Sequence, residues 1–531
     1  MFTEFYSLLR AALDPVVSGM PEQHILLLTL LSILAVWLAV LVVRRSYFTS
    51  LWNVPGPLLN SFTNVPLNYH TLCGDYHSYT EKLHSAYGPA VRVGYNIVSI
   101  SDPAELRQIL ATHEFPKGRM YDLMRSFCPS IFSTRDPELN KLRRRQLGNS
   151  YSLPSVRLYE DKVLKHGVLS LISQWDAQIA SSPTASSALV NFYYGFHSMA
   201  FDIIGVLGFG KSFEILASGD KTIIDCVSKS NMLSVVRSRL PFGMQLQRLF
   251  RDLYNSRQYL IATVRDTIRR RKQENAEAMS LADSKHGNAN HDILQKFLDA
   301  RDPLTGESLD TDSLESEAFV LLAGGTDTVS NTLSWAITCL LGCPETYQRL
   351  KRDIRTAFPD KSAVIHFDEA KAKLPYLTAV IYETMRLHPA VAGYIPRCVP
   401  EQGADILDGK YFLPKGTEVG ISLFACNRNK AVWENPTDFD PDRFMGPDAA
   451  SRFKDVLTFS SGVRICAGRF LATAEMYTTL ANLILKYDFE YPADRETRLC
   501  NSVGEIPGKS FFNYRLETPM NDCQMIVSRA M

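Results

Sequence analysis

Hydrophobic and polar positions follow several different patterns along this chain. Residues 25–43 (ILLLTLLSILAVWLAVLVV) form one apolar run, and its polar side-chain groups are only the Thr29 and Ser32 hydroxyls and the Trp37 indole N–H. As a helix it rises about 28 Å, enough to cross a hydrocarbon core of roughly 30 Å. Arg44 and Arg45 follow it, whereas Glu4, Asp14 and Glu22 precede it against Arg10. A secretory leader carries a shorter apolar stretch behind a basic segment. The pattern therefore predicts a single membrane-spanning helix with its C-terminal flank in the cytosol. Residues 1–24 are then luminal, the endoplasmic reticulum is the natural membrane, and 44–59 is a linker with a stiff Pro55-Gly56-Pro57 hinge.

Past the hinge the pattern is that of a folded globule. Residues 90–100 (AVRVGYNIVSI) are rich in β-branched side chains and broken at Gly94-Tyr95-Asn96, which predicts a hairpin. Asp102-Pro103 opens a helix over 104–110. From about Ser155 helical periodicity dominates, with a long apolar helix over 313–341, another over 377–387 ending before His388-Pro389, and a last one over 469–485. Strand-like stretches return at 409–413 and 418–423. Residues 273–291 are polar without a continuous apolar stripe, and their second half reads as an exposed loop. There is no internal repeat, and no linker splits residues 60–531. The expectation is one large domain, mainly α with a minor β part.

Composition changes this picture little. The chain has 531 residues, 46% hydrophobic and 21% charged, with a formal net charge of +1, so no charge excess points to nucleic acid. Its ten cysteines are scattered, unlike a disulfide scaffold or paired zinc ligands, and no glycosylation sequon occurs. The bulk of the protein reads as facing a reducing cytosol.

Candidate chemistry is concentrated at residues 459–468, FSSGVRICAG. This segment resembles the haem-binding signature F-x-x-G-x-R-x-C-x-G of the cytochrome P450 family, with all five fixed positions present. At residue frequencies near one in twenty, chance supplies such a match in a chain of this length on the order of 10⁻⁴ of the time. The residue types suit the task. An axial thiolate pushes electron density through a haem iron that must cleave O–O. Backbone N–H groups, a nearby cation and the N-terminus of the following helix help a thiolate stay ionised. Gly462 and Gly468 let the chain turn closely around the sulfur.

The resemblance covers essentially the whole chain. Glu383 and Arg386 match the family's E-x-x-R, and Arg443 matches its P-E-R-F element with Asp442 where Glu is usual. It implies a buried ion triad bracing the cysteine loop. Residues 323–328 (AGGTDT) resemble the oxygen-activation motif; Val329 stands where the family often repeats the threonine. Two adjacent glycines inside a strong helix break a local rule, which suggests a locally opened helix with room for O2 and water. The plainer alternative is that Thr328 bonds back to a carbonyl one turn earlier.

The implied assignments are Cys466 as iron ligand of haem b, with Phe459, Gly462, Arg464 and Gly468 around it. Arg397 and Arg144 become propionate contacts, Asn140 standing where the family has Trp or His. Thr328 and Asp327 become the proton-delivery pair. Several stretches look fungal and nearest the benzoate 4-monooxygenase-like group. The implied activity is insertion of one atom of O2 into a lipophilic small molecule of secondary metabolism, with electrons from NADPH through a cytochrome P450 reductase. Oxidative coupling or rearrangement without net oxygen insertion is the alternative. A mostly apolar pocket is expected from residues 118–134, 320–328, 390–394 and a turn at 506–508.

Overall fold

The computed structural model describes residues 21–46, 49–125, 127–183, 185–240, 248–280, 292–492 and 506–530. The polar loop expected late in 273–291 and most of the segment 1–24 lie outside them.

Nine helices carry the argument: α1 (Glu22–Ser46), α2 (Pro103–Ala111), α3 (Pro137–Leu147), α4 (Phe192–Phe209), α5 (Thr222–Arg239), α6 (Arg251–Ser280), α7 (Thr311–Gly342), α8 (Pro375–Leu387) and α9 (Arg469–Lys486). The strands are β1 (Ala90–Gly94), β2 (Ile97–Ile100), β3 (Ser187–Asn191), β4 (Ile395–Cys398), β5 (Ala404–Ile406), β6 (Tyr411–Leu413), β7 (Glu418–Ile421), β8 (Tyr487–Glu490), β9 (Gly508–Phe511), β10 (Asn513–Leu516) and β11 (Gln524–Arg529). Among the described residues the architecture is predominantly helical with four small sheets, in the orders β1-β2-β7-β4, β10-β9, β3-β11-β8 and β5-β6.

In α1, residues Leu26–Arg45 are long and apolar enough to cross a membrane, and none of that window is buried. The helix runs one residue past Arg45, so the expected linker starts later than Arg44. Its end is fastened to the globule: Arg45 Nη1 donates to the Phe62 carbonyl at 3.1 Å, and Arg92 Nη2 donates to the Arg45 carbonyl at 2.8 Å.

The expected hairpin forms, with β1 antiparallel to β2 and a register irregularity between Arg92 and Gly94. β2 then pairs in parallel with β7, and β7 antiparallel with β4, so strands from distant parts of the chain share a sheet. β6 is shorter than 409–413 because Leu407, Asp408 and Gly409 all take positive φ in the turn before it. Asp102 caps α2 as expected, its carboxylate accepting from the Glu105 N–H at 2.8 Å.

The centre of the core is α4 packed on α7, both buried along nearly their whole length. Glycine permits the close approach: a Cβ at position 325 would lie 2.7 Å from Ile204 Cδ1.

At the end of α8, Glu383 and Arg386 are fully buried. Arg386 donates to both carboxylate oxygens of Glu383, at 2.7 and 2.8 Å. Its remaining N–H groups reach the carbonyls of Asn427, Pro436 and Asp438 at 2.7, 2.7 and 3.0 Å. Arg443 Nε approaches Glu383 at 3.3 Å. Asp442 points elsewhere and pairs with Arg349 at 2.7 Å. Removing one member leaves a buried charge uncompensated. Glu383→Ala should cost about 3–5 kcal/mol in urea denaturation, whereas Asp442→Ala, on the surface, should stay within about 1 kcal/mol. Equal losses in the two variants would contradict this division.

Candidate functional site

One large cavity is bounded by α7, α9, the loop 112–136, β4 and the loop 457–468. The last of these carries the cysteine. Ser460 and Gly462 take φ of 62° and 60°. A Cβ at 462 would fall 2.1 Å from the Leu110 carbonyl at the end of α2, so this turn requires glycine. Gly468 differs from expectation: its φ of −80° is ordinary, and a Cβ there would meet open space. The Cys466 N–H donates to the Phe459 carbonyl at 2.8 Å, and Thr458 Oγ1 donates to the Met385 carbonyl at 2.9 Å, tying the loop to α8.

The Cys466 side chain opens on the cavity, yet the protein around it pushes the thiol pKa up by desolvation. The Gly468 N–H and the charges of Arg144, Arg469 and Lys117 pull it down.

Beside the cysteine stand Lys117, Arg144, Arg397 and Arg464. Arg144 Nη2 donates to the Ile465 carbonyl at 2.5 Å, and Arg397 Nη1 to the Pro396 carbonyl at 3.1 Å. Lys117 donates to the Phe132 carbonyl. Two neighbours of Arg144 in the basic run point elsewhere: Arg143 bonds Gln146 at 2.8 Å, and Arg145 bonds Asp302 at 2.7 Å. Asn140 lies beneath the loop, donating to the Ile131 carbonyl at 3.2 Å. Burial, then the charges of Arg397 and Arg144, lower Arg464 to about 10. Both Arg464 Nη atoms and Arg144 Nε are buried with no hydrogen-bond partner. This is a cradle short of anions. Two carboxylates on one planar ligand, each accepting from these guanidinium groups, would satisfy it.

On α7 both adjacent glycines line the cavity, but they differ in what lies behind them. Gly325 faces Ile204, whereas a Cβ at 324 would meet open space. The expected opening of the helix is not there: α7 is continuous over Thr311–Gly342, and Thr328 Oγ1 donates to the Gly324 carbonyl at 2.8 Å. The back-bond and a cavity-facing hydroxyl coexist, since Thr328 also lines the cavity.

Asp327 sits behind that wall. Asn231 Nδ2 and Asn513 Nδ2 donate to its Oδ2 at 2.9 and 3.4 Å, and His197 Nε2 lies 3.8 Å from Oδ1. Burial raises its pKa to about 6, against the pull of Asn513, Arg515 and Asn231. Burial lowers His197 to about 4, so that imidazole is neutral.

Parts of 118–134, 320–328 and 390–394 line the cavity as expected, the last through Ala390 and Val391. The turn at 506–508 does not; Phe512 and Asn513, at the β9–β10 connection, take that place. Sequence reasoning missed Lys117, the α5 residues Ser230, Asn231 and Ser234, Arg257 of α6, and Glu475. Glu475 was within reach, being a lone acid on the apolar helix α9, where burial raises it to about 8.

A family model described as "Cytochrome P450" matches residues 55–508. The chain is 30% identical over 497 residues to cytochrome P450 monooxygenase helB1 of Aspergillus fumigatus, covering 91% of this chain and 83% of that protein. It is 31% identical to helB3 of the same fungus, covering 94% and 97%. Cytochrome P450 monooxygenase FUS8 of Gibberella moniliformis is 27% identical, covering 88% of each. The crystal structure of the cytochrome P450DA haem domain superposes with a TM-score of 0.73 at 20% identity, over 90% of this chain and 98% of that one.

A carboxyl raised in the folded chain burdens the fold where it is ionised, above about pH 6, and the burden lifts as pH falls toward the ordinary 3.8. Asp327→Asn is expected to stabilise by about 1–3 kcal/mol at pH 7.5 and to change little at pH 4. Urea denaturation at both pH values measures this; a variant less stable at pH 7.5 would refute the assigned burden.

Proposed function

This chain belongs to the cytochrome P450 family and is an oxidoreductase of the monooxygenase kind, and from that premise we propose that it inserts one atom of O2 into a lipophilic small molecule of fungal secondary metabolism. Electrons come from NADPH through a cytochrome P450 reductase. The membrane is that of the endoplasmic reticulum, crossed once by 25–43, with 1–24 luminal. The hinge region 44–59 leads to a catalytic domain, 60–531, facing the cytosol.

The observation that carries this reading is a cysteine and four cations, three of them arginines, around one apolar cavity. The family's cofactor is haem with a thiolate ligand. Cys466 Sγ is the assigned ligand, within the loop that Gly462 packs against α2 and Phe459 closes by its carbonyl. Arg144, Arg397, Arg464 and Lys117 would receive the two propionates. When bound, haem b supplies the reductive activation of O2.

The chain's own residues do the rest. Phe319, Val320, Leu321 and Ile395 give the cavity apolar walls that exclude water. Thr328 gives its hydroxyl hydrogen to the Gly324 carbonyl, so its oxygen is turned to accept from a water in the cavity. Asp327, near pKa 6, exchanges a proton readily at neutral pH, and Asn231 and Asn513 fix its carboxylate.

The test is a carbon monoxide difference spectrum of the reduced, purified protein beside Cys466→Ser. A thiolate-type band in the wild type that vanishes in the variant supports the assignment; a histidine-type band in folded wild type overturns it. With a bound substrate, Thr328→Ala should lower the fraction of NADPH that ends in product by about tenfold or more, hydrogen peroxide rising in proportion. Unchanged coupling would remove Thr328 from proton delivery.

A further inference from the structure

The cavity wall built by α5 and α6 differs from the apolar remainder. Ser230, Asn231 and Ser234 line it from α5, Arg257 from α6, and Arg125 from the loop before α3. The three α5 residues fall at i, i+1 and i+4, so a helix that also buries Val227 and Leu233 turns a polar strip toward the cavity.

Arg257 is buried behind this strip. Its Nη1 donates to Ser230 Oγ at 3.2 Å and Ser234 Oγ at 3.4 Å. Its Nη2 donates to the carbonyls of Met124 and Arg125 at 3.2 and 2.9 Å, and the guanidinium lies 5.3 Å from the Phe319 ring centre. Ser234 spends its own hydrogen on the Ser230 carbonyl at 3.2 Å. The Ser230 hydroxyl accepts from the guanidinium and keeps its hydrogen for the cavity. Burial first, then the charge of Arg237, lowers Arg257 to about 10, so it stays cationic at neutral pH. Among the described residues lining the cavity, the single acidic side chain is Glu475 on α9, held neutral at pH 7 by burial. A cation in a weakly solvated wall attracts an anion strongly, and a hydroxyl polarised by it is a charge-assisted donor.

We propose that this wall is a subsite for a carboxylate on the substrate, held by the Ser230 hydroxyl with Arg257 behind it, while the apolar body of the substrate extends along α7 toward Thr328. This narrows the substrate of the monooxygenase reading, on which it rests, to a lipophilic carboxylic acid. Phe319, under the guanidinium, and Thr328 are nine residues apart on α7, a rise of about 13 Å. The acid and the carbon to be oxidised are separated by a comparable length.

Extended dodecanoate spans that distance and abietate is a shorter, rigid counterpart; each has a neutral analogue in its methyl ester. Haem-loaded full-length protein would be titrated with the four compounds at pH 7.5, following the haem absorption change. At least one acid should bind about tenfold or more tighter than its ester, and the preference should shrink with added salt. In Arg257→Gln the preference should vanish while ester affinity stays within about twofold; Arg257→Lys should restore part of it. Ser230→Ala, which keeps the Arg257 contacts to the loop, should lower acid affinity about three- to tenfold. Esters binding as well as both acids in the wild type, or a preference that survives Arg257→Gln, would overturn the subsite. Equal loss of acid and ester binding in Arg257→Gln and Ser230→Ala would leave Arg257 as a brace between helices and also overturn it. Each preparation is first checked by its carbon monoxide spectrum. Failure there sinks the haem-thiolate reading, whereas an intact thiolate band without acid preference sinks only the subsite.

Discussion

The guanidinium of Arg386 joins stretches of chain that would otherwise have no reason to meet. It neutralises Glu383 one turn away on α8 and gathers three carbonyls from residues 427–438. Thr458, at the edge of the cysteine loop, hangs on the backbone of Met385 in the same turn. The position of Cys466 is therefore inherited from α8, and α8 is held by a charge pair wholly removed from water. Such a pair is a poor source of net stability. What it supplies is uniqueness: a buried ion has few places to go, so the loop has one resting place.

The cavity has a second electrostatic constraint. Its lining carries cations in two places, four around the cysteine and two on the α5–α6 side, among walls that are otherwise mostly apolar. Desolvated positive charge is costly and is relieved by anionic groups brought beside it. The pocket is thereby selective before any shape is considered. A neutral hydrocarbon would relieve neither place, whereas carboxylates meeting the cations at either one would relieve it there.

Local features could be read from residue order; features made by long-range packing could not. The N-terminal apolar helix, the β1–β2 hairpin, α7, α8 and α9 follow from periodicity and punctuation, and the sequence reading ends them within a few residues of the structure. Cys466 stood out because five fixed positions lie within ten residues. The opened helix at Gly324–Gly325 was wrongly expected because residue order cannot say what each glycine meets; both line the cavity, and Gly325 also lies against Ile204. Ser230 and Arg257 were invisible for a related reason. Only the pairing of α5 with α6 over α7 turns an ordinary polar strip and an ordinary arginine into cavity wall. Arg144 could be preferred over its neighbours, but its contact with the Ile465 carbonyl spans 321 positions of sequence.

The glycine pair on α7 also separates two things that proteins usually trade against each other. Successive residues on a helix are turned by about 100°, so position 325 answers to Ile204 as well as to the pocket, and position 324 to the pocket alone. A side chain at 325 would press on the end of Ile204, which would have to turn aside. One at 324 would meet nothing belonging to the protein beyond its own helix. A side chain at 324 would thus take up cavity space without displacing another part of the protein. A gene duplicate carrying this fold could therefore shift the size of the molecules it accepts in a single step, without first having to acquire spare stability.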